Sequence, residues 1–205
     1  DVCSSDLEDR FSEYDVFIEK PQPLIPRDLR FTVPERISAK GDVLKALDES
    51  AVDRLAPELQ RRGVESVAVG FIHAYANPDH ERRVRARLQK LLPGLSVSIS
   101  SEVCAEVREY DRLSTTACNT YVQPLMAGYL ERLQAQLSEA GFKCPLYLML
   151  SGGGLATLET ATRFPIRLVE SGPAGGAILA AGIAAESGLK HVLSFDMGEI
   201  GRAHV

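Results

Sequence analysis

Apolar residues recur along the chain in two periods, and the switches between them lay out the elements. Val52, Leu55, Ala56 and Leu59 fall at helical spacing, which predicts a helix from about Asp48, and Gly63 stands where a helix-ending glycine belongs. Pro57 lies inside that helix. "VESVAVGFIHAY" is an apolar run suited to a strand buried on both faces. In the following "NPDHE", Asn77 predicts an N-cap and Pro78 the first helical position; Asp79 and Glu81 supply first-turn acids favoured by the helix dipole. Val84, Leu88, Leu91 and Leu92 line one face of this helix, and the arginines between them read as its wet face. "LSVSISSEV" resumes as a strand, so strand, helix and strand with short links predict a βαβ unit with parallel pairing.

Upstream, "EKPQPLIPRDLRFTVPERIS" carries four prolines and reads as an extended connector with short strands around "LRFTV" and "ERI". Downstream, Thr115 to Ala140 predicts a long amphipathic helix, or two broken near Pro124, with a stripe of Leu125, Tyr129, Leu133 and Leu137 ending at Gly141. "CPLYLMLSGGGL" reads as strand then glycine turn, "TLETATRF" as a short helix and "PIRLVES" as another strand. "GPAGGAILAAGIAAESGL" is a glycine- and alanine-rich helix, and "HVLSFDMG" a final strand. There is no internal repeat, and the class is α/β.

Composition narrows function mainly by exclusion. At 205 residues, 45% hydrophobic and 25% charged, the chain is globular material long enough to bury a core. A net charge of −5 gives no broad electrostatic reason to bind nucleic acid or anionic membrane. No apolar run approaches a transmembrane span. Cys104, Cys118 and Cys144 lie far apart with no Cys-x-x-Cys spacing, which predicts reduced, buried thiols in a cytosolic protein and neither a zinc site nor a disulfide framework.

Three stretches carry candidate chemistry. "SGGGL" after a strand, with Ser151 and Gly153, lets backbone N–H groups approach an anion, or serves turn geometry alone. "SGPAGG" opens a helix with Ser171, Gly172, Gly175 and Gly176; its N–H groups suit an anion, while the small residues that continue into the helix suit close interdomain packing. In "FDMG", Asp196 at a strand's end followed by Gly198 can hold a metal–phosphate complex through water or orient an attacking water. His73 and His80 read either as a metal pair above the sheet or as a strand-end and a surface histidine. Glu106, Arg108, Glu109 and Arg112 are dense enough to form an ion-pair network, solvated or interdomain by charge alone.

The order of strand, small-residue helix, strand and acidic glycine turn resembles the actin-like ATPase superfamily. More specifically, "SSEVCAEVREYDRLSTTACNTYVQPLMAGYLERL", "FIHAYANPDHE" and "ESGPAGGAILAA…FDMG" resemble the A subunit of the hydantoinase/5-oxoprolinase family, over essentially all of residues 8 to 198. The resemblance implies a partial actin-like ATPase (ribonuclease-H-like) fold with a preceding βαβ subdomain. Residues 8–112 would be the C-terminal part of the family's N-terminal domain, and 113–198 the beginning of its core domain, truncated. It implies a cytoplasmic enzyme that hydrolyses a cyclic amide, hydantoin or 5-oxoproline, with ATP cleavage and Mg²⁺, beside a hydantoinase B-type subunit. Asp196 would be the catalytic and metal-bound acid, and Gly198 would let the backbone approach the phosphates. Ser151, Gly153, Ser171, Gly172, Gly175 and Gly176 would contact nucleotide, with helix-end geometry the first role of the last three. The recurrence of the Glu106–Arg112 charges in that family hints at a site-facing loop. Two positions depart from the family pattern: Glu199 stands where Gly-Thr continues the last motif, and Gly152 where Asn is common.

The two ends of the chain are related to one another. Written as GAG ATC GGA AGA GCA CAC GTC, Glu199 to Val205 have a reverse complement that translates as Asp-Val-Cys-Ser-Ser-Asp-Leu, which is Asp1 to Leu7. The expectation is that residues 1–7 and 199–205 are translated sequencing adapter, to be set aside from fold reasoning. On that reading the chain is a fragment and does not turn over by itself. A genomic locus encoding "EIGRAHV" and continuing into protein would refute it. Rival expectations are the ATP-binding subunit of an acetone- or acetophenone-carboxylase-type enzyme, and a non-catalytic actin-like nucleotide switch.

Overall fold

The computed structural model describes residues 23–195, together with Phe17. Both expected adapter tails, Asp196 and Gly198 lie outside the described residues. The chain divides into two compact units after Pro124.

The first unit opens on a 3₁₀ turn, Arg27–Leu29, and an antiparallel hairpin of β1 (Arg36–Ile37) and β2 (Val43–Lys45). "ERI" thus pairs as expected. "LRFTV" forms no strand, because no neighbouring strand among the described residues pairs with it. Helix α1 (Glu49–Arg61) starts where Asp48 caps the Ala51 N–H at 3.1 Å, runs through Pro57, and ends before Gly63 at φ 63°.

The predicted βαβ unit is present. Strand β3 (Ser66–Val69), helix α2 (Asp79–Leu91) and strand β4 (Ser96–Ile99) place β3 and β4 parallel, Ser66 opposite Ser96 and Val69 opposite Ile99. Pro78 takes the N-cap position of α2, one residue later than expected, and Asn77 Oδ1 accepts the Asp79 N–H at 3.1 Å. Val52, Leu59, Val69, Val84, Leu88 and Ile99 form the core between α1, α2 and one sheet face. Each such burial stabilises by about 1.5–3 kcal/mol. The expectation that β3 is buried on both faces needs correction: Ser66, Val67 and Ala68 are half-buried. Among the described residues β3 pairs only with β4, and consecutive residues Ser66 to Phe71 border an apolar cavity of ≈520 Å³.

After a short helix α3 (Ser100–Val103), helix α4 (Glu109–Glu139) begins six residues earlier than predicted and passes Pro124 without breaking. In the second unit its inward residue is Leu130, 1% exposed, whereas Leu125 and Tyr129 of the expected stripe are exposed. Strands β5 (Tyr147–Met149) and β6 (Leu155–Thr157) form an antiparallel hairpin around the glycine turn. Thr157 caps α5 (Leu158–Arg163). "PIRLVES" is not a strand: Pro165–Leu168 is a 3₁₀ turn, and Glu170 adopts φ 60° at the entry to α6 (Ser171–Glu186). Pro165 has no N–H to donate to a ladder, and Arg167 gives its carbonyl to Ser151. Residues 191–195, the described part of the expected last strand, are extended neither in a ladder nor against a partner strand, since a strand exists only where a neighbour completes its hydrogen bonds. No helix among the described residues is long and apolar enough to cross a membrane.

Candidate functional site

The alternation in "SVSISS" decides what each face of the parallel pair meets. Val97 and Ile99 point to the apolar core, so Ser96, Ser98 and Ser100 point the other way, towards α4. The first half of α4 answers with a polar stripe of Arg112, Thr116, Asn119, Thr120 and Gln123. Asn119 Nδ2 donates to Ser98 Oγ at 3.1 Å, and Gln123 Oε1 accepts from Ser96 Oγ at 2.6 Å. Thr116 and Thr120 turn their hydroxyls back to the helix carbonyls of Arg112 and Thr116.

At the C-terminal ends of β3 and β4 this seam becomes charged. Glu81, fully buried, accepts from the Phe71 N–H at 2.9 Å, Ser100 Oγ at 2.6 Å and the Ser101 N–H at 2.9 Å. Arg112, also fully buried, donates to Ser100 Oγ at 3.1 Å, the Phe71 carbonyl at 2.8 Å and the Glu106 carbonyl at 3.0 Å. Its guanidinium also lies over the Tyr75 ring, 5.4 Å from the centroid.

Above this hub, His73 adopts φ 59° and donates its N–H to Glu109 Oε1 at 3.3 Å. Its Nδ1 lies 3.3 Å from the Tyr75 hydroxyl and 3.7 Å from Glu109 Oε1. The Glu109 carboxyl is held below its ordinary range, first by its own backbone N–H, then by the His73 N–H and the Arg112 and His73 charges, against a desolvation effect that raises it. Of the expected four-residue charge network, Arg112 reaches Glu109 at 3.6 Å, Arg108 pairs with Asp111 at 3.9 Å, and Glu106 contributes its carbonyl. The two histidines take separate partners. His80 is buried with Nδ1 2.8 Å from Glu35 Oε2, and no three His, Cys, Asp or Glu among the described residues converge on a metal position. Cys118 and Cys144 are exposed, correcting the expectation of buried thiols; Cys104 is half-buried, and burial raises its thiol above the ordinary range, reinforced by Glu106.

The glycine motifs lie in the second unit. Leu150 N–H donates to Gly154 O and Gly153 N–H to Leu150 O, closing the turn, with Gly153 at φ 83°. A Cβ on Gly153 would stand 3.0 Å from Ile178 Cδ1, and one on Gly175 would stand 3.6 Å from Met149 Cγ. Helix α6 therefore packs against the hairpin through Ile178 and the Gly175 backbone. Ser151 donates from its N–H and its hydroxyl to the Arg167 carbonyl, at 2.8 and 3.1 Å. Among the described residues, nothing lies within 4 Å of a Cβ placed on Gly172 or Gly176, and no side chain caps the first turn beside Ser171. Gly175, by contrast, is a packing position.

What sequence reasoning missed is the Glu81–Ser100–Arg112 hub. The signal that could have found it is the match between a period-two serine run and a helical polar stripe starting at Arg112.

Two family models match the chain: hydantoinase/oxoprolinase over residues 112–199, and the hydantoinase/oxoprolinase N-terminal region over residues 2–92. The alpha subunit of caprolactamase from Pseudomonas jessenii is 34% identical over 185 residues, 90% of this chain and 27% of that protein. The 5-oxoprolinase of Saccharomyces cerevisiae is 34% identical over 136 residues, 66% of this chain and 10% of that one. The crystal structure of the ATP-dependent caprolactamase from Pseudomonas jessenii superposes with a TM-score of 0.78 at 31% identity, covering 93% of this chain and 28% of that chain. The nucleotide-free acetone carboxylase structure gives 0.72 at 28% identity, covering 83% and 24%. The chain thus spans about a quarter of the caprolactamase subunit that it matches. With both models in chain order and these α/β neighbours consistent with a partial actin-like fold, the chain belongs to the hydantoinase/oxoprolinase family.

Proposed function

We propose that this chain is part of the ATP-using subunit of an enzyme that opens a cyclic amide, a lactam or hydantoin, with cleavage of ATP. The observation that carries the reading is the similarity to an ATP-dependent caprolactamase in sequence and fold alike, across nine-tenths of the chain. The chemistry is coherent. A ring amide is resonance-stabilised, and moving a phosphoryl group from ATP to its carbonyl oxygen makes the carbon electrophilic. The protein's task is positioning and charge stabilisation.

The residues assigned to nucleotide fit that task in part. The first turn at Ser171 and Gly172, without a side-chain cap among the described residues, suits an anion, whereas Gly153 spends its N–H on the Leu150 carbonyl. Ser151 is engaged by Arg167, and Gly175 packs against Met149; Gly176 has no such contact among the described residues. Asp196 would hold Mg²⁺, which would supply charge neutralisation for the phosphates, and Gly198 would let the backbone approach them. A cytoplasmic protein working beside a B-type subunit completes the proposal, since the caprolactamase relative is itself named as one subunit.

The test is ATP hydrolysis by the full-length protein with its partner subunit, in the presence and absence of ε-caprolactam, 5-oxoproline or hydantoin. Ring-dependent release of phosphate and of the opened amino acid is expected, and hydrolysis indifferent to all three compounds would refute the reading. The acetone carboxylase neighbour supports a second reading, activation of a ketone for carboxylation. Bicarbonate-dependent consumption of acetone or acetophenone would favour it.

A further inference from the structure

The nucleotide reading above assigns no task to the cluster at the end of β3. We propose that His73 and Glu109 recognise the amide group of the ring substrate, with Tyr75 setting the imidazole tautomer; this assignment rests on the cyclic-amide reading above. In open α/β sheets ligands gather beyond the carboxyl ends of the strands, where His73 follows β3. Both sides of the His73–Glu109 contact hold a non-glycine residue in the left-handed region: His73 at φ 59°, and Arg108, which precedes Glu109, at φ 81°. Such backbone persists where the surroundings over-determine it, and it concentrates at functional sites. The surroundings here do so. Glu81 and Arg112 hold the N–H and the carbonyl of Phe71, two residues before His73.

The donor and acceptor pattern identifies the ligand class. In the neutral ring, a Tyr75 hydroxyl that donates to Nδ1 leaves the proton on Nε2, which has no protein partner among the described residues. The Glu109 carboxylate stands on the Nδ1 side of the same ring, with Oε1 3.7 Å from that nitrogen; the two side chains keep about a third of their surface in solvent, 31% for His73 and 36% for Glu109. One ring N–H donor and one carboxylate acceptor, carried by the same histidine–glutamate pair, supply the two complements that the cis C=O and N–H of a ring amide require. A ketone offers only the acceptor and would leave the Glu109 carboxylate unused.

The experiment is steady-state ATP hydrolysis by the full-length enzyme with its partner subunit, titrating ε-caprolactam, 5-oxoproline and hydantoin separately. His73→Ala should raise the KM for the ring compound by about tenfold or more while the KM for ATP stays within about twofold. His73→Gln, which keeps an N–H donor, should recover part of the loss, and Glu109→Gln should again raise the ring KM alone. Tyr75→Phe removes a single oxygen, and its smaller rise in ring KM serves where His73→Ala does not fold. Ring KM unchanged in His73→Ala and Glu109→Gln, or a parallel rise in the KM for ATP, would overturn the assignment while leaving the coupled reaction standing. A wild type with no ring-dependent hydrolysis sinks the cyclic-amide reading and this assignment together.

Discussion

Glu81 and Arg112, both fully buried, meet through one hydroxyl: Ser100 Oγ donates to Glu81 at 2.6 Å and accepts from Arg112 Nε at 3.1 Å. They also divide the backbone of Phe71, Glu81 taking its N–H and Arg112 its carbonyl. Four elements, the ends of β3 and β4 and the helices α2 and α4, are thereby tied at one point. A buried charge is tolerable only when its surroundings meet its hydrogen-bonding capacity. Glu81 accepts from two N–H groups and a hydroxyl. Arg112 donates to two carbonyls and that hydroxyl and stands 3.6 Å from Glu109 Oε1.

Removing one partner therefore strands the other. Arg112→Met should cost about 3–5 kcal/mol, because it leaves an uncompensated carboxylate in the interior. The double variant Arg112→Met with Glu81→Leu should cost less than the two single changes added together, since it removes both charges. Urea denaturation of the three variants measures this. Additive losses would show that the two residues act independently.

The sequence made the scaffold legible where pattern is local. Val52, Leu55, Ala56 and Leu59 announced α1, and the βαβ unit followed from apolar runs and turn chemistry. It did not reveal the hub, because Glu81 already had a sufficient local explanation as a first-turn acid. Its true partners lie 10 to 20 residues away in sequence, at Phe71, Ser100 and Ser101. The α2 arginines show the same limit. Read as a wet face, Arg85 and Arg87 in fact reach Glu102 and Asp53 on other segments. Of the candidate nucleotide residues, the motifs in the second unit could be located, while the role of Ser151 could not be read, since its carbonyl partner at Arg167 belongs to a segment that pattern assigned to a strand.

His80 and Glu35 form a second buried pair, 2% and 5% exposed at the side chain with 2.8 Å between Nδ1 and Oε2. This contact joins α2 to the segment that enters β1. Glu35→Ala should cost about 1–3 kcal/mol, by leaving a buried imidazole nitrogen without its partner. His80→Phe with Glu35→Leu should recover part of that loss. Thermal melts of both variants check it, and a Glu35→Ala melt matching wild type would contradict the pairing.

Gly152 and Gly153 are neighbours with opposite tolerances. Gly153 sits at φ 83° with Ile178 Cδ1 3.0 Å from where a Cβ would be, whereas nothing lies within 4 Å of a Cβ on Gly152. Gly153→Ala should destabilise by roughly 1–2 kcal/mol, from left-handed strain and displacement of Ile178. Gly152→Ala should change stability by less than about 0.5 kcal/mol. Limited proteolysis across the hairpin should separate the two variants, and equal protection would refute the difference.

Glu109 gives the fold a pH dependence whose sign is fixed. Its carboxyl lies below the ordinary value near 4.5, because its own N–H, the His73 N–H and the Arg112 charge favour the ionised form. A group lowered in the folded state binds fewer protons there than in the unfolded chain, so its contribution is complete above that ordinary value and is lost as pH falls through the lowered one. Glu109→Gln should therefore lower the melting temperature most near neutrality, and the gap from wild type should close in acid. Asp48, Asp53 and Glu58 are lowered as well, by Ser50, Arg87 and Arg61 respectively, but they titrate alike in both proteins and cancel in the difference. The Glu109 side chain is 36% exposed, so added salt should shrink the gap at neutral pH. A gap that stays constant from neutral to acid pH would mean that the carboxylate charge adds nothing beyond its hydrogen bonds, and the electrostatic account of Glu109 would fall.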